Sequence, residues 1–185
     1  MELAFVMGTI ATISGIAVPQ VLSSLDDYRT AGAARYFSTR LQRTRMEALV
    51  RSREVAVRFL RVGGEYEYSV FVDGDGDGVR TRDIRSGMDW QLGMPEKLPV
   101  AFPGVDFGVL PGLPAVDSGS PPPGADPIKL GASDLLSFSA NGTSSSGSVY
   151  IRGRRQAQYV VRVFGITAKT RVLKFSPGRR QWIPL

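Results

Sequence analysis

Asp73-Gly74-Asp75-Gly76-Asp77-Gly78 places three carboxylates at alternate positions, and Asp83 follows shortly after. Alternating oxygen donors separated by glycine match the opening of a calcium-binding loop, where a hard cation gathers six to eight oxygens. Such a loop closes with a bidentate acid at its twelfth position. Counted from Asp73 that position is Ile84, and Asp83 falls one residue early. Arg80 and Arg82 bring positive charge to the same stretch. Two readings stand: a calcium site built from Asp73, Asp75, Asp77 and Asp83, or a glycine-rich turn whose aspartates cap its own amides.

The second concentration of reactive groups is basic. Residues 149–185 hold nine Lys and Arg and no acid, residues 63–148 hold five basic and twelve acidic groups, and residues 1–62 hold nine and five. The net charge is +6. Arg154, Arg155, Arg179 and Arg180 offer phosphate contacts of the kind that weaken with salt, and Trp182 and Tyr159 offer rings for base stacking. DNA is therefore one candidate partner. A solvated basic face, or an internal contact with the acidic middle segment, is the other reading. Catalysis finds little material. The chain has no His and no Cys, which removes the usual general base, the usual thiol nucleophile, disulfides and thiolate metal sites. The remaining acids lie mainly in turns, so the expectation is a protein that is not an enzyme.

These groups need a scaffold, and it begins at the N-terminus. Glu2 is the only charged side chain before Asp26, and 23 uncharged, mostly apolar residues lie between them. About 20 such residues cross a bilayer as a helix. A carboxylate near the tip of such a helix is costly unless paired or at the interface. A secretory signal wants a positive n-region, which Met1-Glu2 does not supply. A plain membrane anchor and a core helix apolar on all faces are the other structural readings. Beyond Asp26, apolar residues recur at helical spacing at Tyr28, Ala34, Phe37, Leu41 and Ala48, opposite a polar stripe of Arg40, Arg43, Glu47 and Arg51. The expectation is one helix over residues 1–52, kinked at Pro19. Its first 25 residues span a membrane, Asp26 and Asp27 mark the water boundary, and residues 26–52 pack an amphipathic stripe on a domain.

Glu2-Leu3, the small residues Gly8 and Gly15, and Ile16-Ala17-Val18-Pro19-Gln20 together resemble the N-terminus of type IV pilins and type II secretion pseudopilins. With Pro19 on the family proline, Glu2 falls on the family glutamate without a gap. The resemblance implies an inner-membrane subunit with a periplasmic domain, processed by a prepilin peptidase upstream of the aligned residues. It also implies assembly with other pilin or pseudopilin subunits through a helix bundle. In that bundle the glutamate neutralises a neighbour's α-amine. Glu2, Gly8, Gly15 and Pro19 are the residues that inherit these assembly roles.

After Ser52 the period changes to two. Residues 55–60 and 65–72 alternate as strands about Gly63-Gly64, a hairpin signal. Short strands are expected over 97–102, 105–109 and 127–130. Five X-Pro steps punctuate the irregular run 85–134, and Ser118-Gly119-Ser120-Pro121-Pro122-Pro123-Gly124 marks a long exposed loop around 110–127. Strands return at 135–139, 148–152, 158–164 and 170–175. A long helix, the alternating strand at 55–60, and the closing Lys174-Phe175-Ser176 and Gly178-Arg179-Arg180-Gln181-Trp182 are similar to the GspH/FimT subfamily of minor pseudopilins and pilins. The implied fold is α+β, a long N-terminal helix packed on antiparallel sheet, with a globular domain over 53–185. The implied function is a structural subunit supporting protein secretion, or, in a FimT-like variant, DNA uptake through a basic C-terminal face.

Overall fold

The computed structural model describes the backbone of every residue except Met1, Ser118 and Ala132, and within the first helix leaves the side chains of residues 1–5, 8–14 and 16 undescribed. A single helix, α1 (Glu2–Arg51), runs through Pro19. At 1.5 Å per residue it is about 75 Å long. Among the described residues ten strands follow, with two short helices between them.

Among the described residues of α1, those of its C-terminal part are covered by the domain. Thr30, Ala34, Phe37, Leu41, Thr44 and Ala48 are buried, alternating steps of four and three along one stripe. Such a stripe keeps one face of a helix against its partner. Phe37 is its centre, with the rings of Tyr68 and Phe107 both at 5.3 Å and Phe59 at 5.9 Å between centroids. Tyr28, expected on this stripe, lies 77 % exposed. The buried sequence begins two residues later, at Thr30.

The first sheet has the order β3-β2-β1-β6. β1 (Val55–Val62) and β2 (Glu65–Val72) form a hairpin in continuous register from Val55 opposite Val72 to Val62 opposite Glu65. Gly63 and Gly64 close it at φ 62° and 92°, a pair of left-handed positions that a two-residue turn requires. β6 (Leu135–Phe138) pairs with the far side of β1. β3 (Trp90–Glu96) was hidden in the sequence by Gly93 and Pro95. Proline is tolerated there because the strand is at the sheet edge. Its last residue, Glu96, ties the edge to α1. The hydroxyls of Tyr36 and Tyr68 donate to Glu96 Oε2 at 2.9 and 2.8 Å, and Arg40 pairs with Oε1.

The second sheet has the order β10-β9-β8-β7-β4, with β5 also on β7. Its members are β4 (Asp106–Phe107), β5 (Ile128–Lys129), β7 (Gly147–Arg152), β8 (Gln158–Phe164), β9 (Lys169–Ser176) and β10 (Gln181–Pro184). Two short helices, α2 (Thr81–Ser86) and α3 (Leu98–Ala101), complete the chain. α3 replaces the strand expected over 97–102: Pro99 occupies the first helical turn, where its missing N–H costs nothing. α1 lies on one face of this sheet. The segment around 109–116 covers the other, beside Tyr150, Val160 and Leu173. The Pro/Gly-rich loop is thus partly held down. Leu113 is buried, and Asp117 pairs with Arg162 at 2.7 Å.

Candidate functional site

Three regions hold the residues that the sequence singled out. In the acidic loop, Asp73 is buried and accepts from the amides of Gly76 and Gly78 at 2.8 and 3.2 Å. Asp89, absent from the sequence reading, is equally buried and accepts from Gly74 and Arg80 at 3.1 and 2.9 Å. Glu54 takes the amide of Val79 at 3.0 Å. Arg53 donates to the carbonyls of Asp73 and Gly74 and lies over the Trp90 ring. The loop is therefore a closed cap over the start of β1 and the end of β2.

Asp73, Asp75 and Asp89 lie close together, as do Asp75, Asp77 and Asp83. Their carboxylates are already engaged within the loop. All four oxygens of Asp73 and Asp89 face backbone amides. Asp77 pairs with Arg80 and with Arg82 at 3.0 Å, and Asp83 with Arg82 at 3.1 Å. The closing position is Ile84, packed against the small cluster of Ala56, Phe71, Val79 and Leu135. The amide of Asp77 holds the Asp75 carboxyl below its ordinary value, whereas lost hydration and then Asp75 itself push Asp77 up.

The second region joins α1 to the second sheet. The amides of Arg154 and Arg155 donate to the two carboxylate oxygens of Asp26 at 2.9 and 3.1 Å. Gly153 permits this approach. A Cβ there would lie 2.4 Å from Thr30 Oγ1 and 2.8 Å from both Asp26 oxygens. Asp27 accepts from the Tyr159 hydroxyl at 2.9 Å and pairs with Lys174 at 2.7 Å. Burial pushes the Tyr159 phenol up, reinforced by its hydrogen bond to Asp27. Asp26 and Asp27, expected as a water boundary, are clasps that fasten the helix to the domain.

The arginine side chains at 154, 155, 179 and 180 are exposed. The two rings expected beside them differ in exposure. Tyr159 is fully buried, and Trp182 donates its indole N–H to the Pro114 carbonyl at 3.1 Å while packing on Tyr150 and Phe175. Trp182 is half-buried in this packing. No sequence signal marked the partner, because Pro114 lies 68 residues away.

The third region is the N-terminal part of α1. Val6, Met7, Val18, Val21, Leu22 and Leu25 are exposed, and residues 17–25 are exposed without a break. Gly15 has nothing within 4 Å of where a Cβ would stand, and Pro19 is exposed. The side chains of Glu2 and Gly8 lie outside the described residues. The membrane span expected over 1–25 is not supported by those that are described: among them, no helix is long and apolar enough to cross a membrane.

The family described as Type II transport protein GspH matches residues 33–166, well over half of the chain. The chain belongs to the GspH family. The GspH match begins within the buried stripe of α1 and ends in the turn after β8, so it covers the first sheet, the acidic loop and most of the second sheet. The exposed apolar part of α1 and the Arg179-Arg180 turn lie outside it. No curated protein and no solved structure matches the chain. Membership in the GspH family carries a pseudopilin role in type II secretion, alongside other pseudopilins.

Proposed function

We propose that this GspH-family chain is a structural subunit of the type II secretion pseudopilus. It is held in the inner membrane by its first 25 residues, with the domain in the periplasm, and it joins other pseudopilins through the same residues. The observation that carries this reading is the uncovered apolar length of α1. Residues 17–25 are exposed, whereas from Asp26 onward the same helix is clasped and buried. An apolar surface of this kind needs a second apolar surface. Lipid supplies it for the stored subunit, and like helices supply it in the filament, where Gly8, Ala11 and Gly15 allow close approach. Processing by a prepilin peptidase belongs to the same reading.

Glu2 gives the assembly its register. An unpaired carboxylate in a low-dielectric bundle is severely penalised, so pairing with a neighbour's α-amine selects one axial position. The role is structural and not catalytic. The chain lacks His and Cys, and its buried aspartates are engaged with backbone amides. The test is Glu2→Ala in cells that assemble the pseudopilus. The variant is expected to fold and reach the membrane but to stay out of the filament. Normal incorporation would remove the role given to Glu2.

A further inference from the structure

We propose that the end of the domain nearest the apolar helix is a contact surface for anionic phospholipid headgroups. This deepens the membrane reading above and rests on it.

In an antiparallel sheet alternate turns fall at opposite ends. The β7–β8 turn at 153–157 and the β9–β10 turn at 177–180 share one end, and the β8–β9 turn at 165–168 lies at the other. α1 identifies the ends. Asp26 is held at the 153–155 turn and Asp27 at Tyr159 and Lys174, while Ser38 and Gln42 reach Thr170 toward the opposite end. Both arginine-bearing turns therefore face the direction in which α1 leaves the domain. Ser176 lies two residues past Lys174, about 7 Å further along at strand rise. The 177–180 turn thus comes level with the helical turn before Asp26.

Arg29, Arg152, Arg154, Arg155, Arg179 and Arg180 gather at this end, all exposed. Among the described residues none of them pairs with an acid. The nearby carboxylates of Asp26 and Asp27 are already engaged. A cleft of about 480 Å³ there is lined by Leu22 and Leu25 together with Arg29, Arg154 and Arg155, and by Asp26, whose oxygens the turn amides already hold. That arrangement is the profile of a bilayer interface, hydrocarbon beside phosphate. Each basic residue held close to an anionic surface contributes about a fivefold preference for it, and the attraction fades within about 8 Å at physiological salt. Duplex DNA also presents phosphates. Lipid is favoured because the arginines surround the exit of the apolar helix, and because Tyr159 is buried and Trp182 is half-buried, its indole N–H held by the Pro114 carbonyl.

The chain has no Cys, so Gly178→Cys supplies a unique thiol in the 177–180 turn, where a Cβ meets nothing within 4 Å. The full chain, labelled there with a polarity-sensitive fluorophore, is reconstituted into vesicles of phosphatidylcholine alone or mixed with phosphatidylglycerol. The expected result is flotation with both kinds and a blue shift only with the anionic ones, lost at raised salt. Arg154→Glu, Arg155→Glu, Arg179→Glu and Arg180→Glu together abolish the shift without affecting flotation. A label at Ile166→Cys, in the opposite turn and 90 % exposed, stays unshifted. Flotation with both kinds and the same emission on each overturns this inference alone. So does an equal shift at Ile166→Cys, or a Gly178→Cys shift produced by duplex DNA but not by anionic lipid. Flotation with neither overturns the membrane reading and this inference with it.

Discussion

Asp27 and Tyr159 stand 132 residues apart in sequence and share a 2.9 Å hydrogen bond, with Lys174 on the other oxygen of the same carboxylate. This contact fixes where the free part of α1 ends and the docked part begins. A hydrogen bond to a charged group contributes about 1.5–3 kcal/mol. Tyr159→Phe is expected to lower stability by that amount, read from urea unfolding of the full chain in detergent.

The same pair sets an alkaline limit. The Tyr159 phenol is raised above its ordinary value of 10.0 by burial and by Asp27, and Tyr68 is raised by burial. The unfolded chain loses these protons first as pH rises. The stabilisation is therefore complete below about pH 10 and declines above it. The thermal midpoint is expected to fall through the alkaline range, and less steeply in Tyr159→Phe.

Gly153→Ala tests the neighbouring clasp. Its Cβ would stand 2.4 Å from Thr30 Oγ1, and both Asp26 oxygens are too close to yield freely. Overpacking of this kind costs about 1–3 kcal/mol. Limited proteolysis is expected to cut the 153–157 turn or the helix near Asp26 sooner than in the parent chain.

The acidic loop is expected to stand on its own amides. Asp89→Ala leaves the Gly74 and Arg80 amides without their acceptor, at a cost of about 1–3 kcal/mol. A chelator is expected to leave the thermal midpoint of the parent chain unchanged. A fall in midpoint on chelation, restored by calcium, would contradict the reading of a turn held by its own amides.

Periodicity made much of the frame legible. Phe37, Leu41 and Ala48 showed the buried stripe, Gly63-Gly64 the hairpin, and the alternation over 158–164 and 170–175 two central strands. Local pattern failed where a distant partner decides. Asp26 and Asp27 look like charges seeking water until Gly153, Tyr159 and Lys174 are folded against them. Trp90–Glu96 reads as irregular because an edge strand tolerates Gly93 and Pro95, and Leu98–Ala101 reads as extended because Pro99 disguises a helical turn. Asp89 escaped because the intervening α2 carries it back to a loop that begins at Asp73.

The uncovered stretch of α1 bears the central claim, and Val21, 64 % exposed, is a direct place to test it. With Val21→Cys and a matching single cysteine in the helix of a neighbouring pseudopilin, mild oxidation in secreting cells should give a disulfide-linked pair. The yield should fall sharply when Glu2→Ala is added. A thiol at position 21 that stays unlinked and freely labelled while the pseudopilus assembles around the chain would contradict the account.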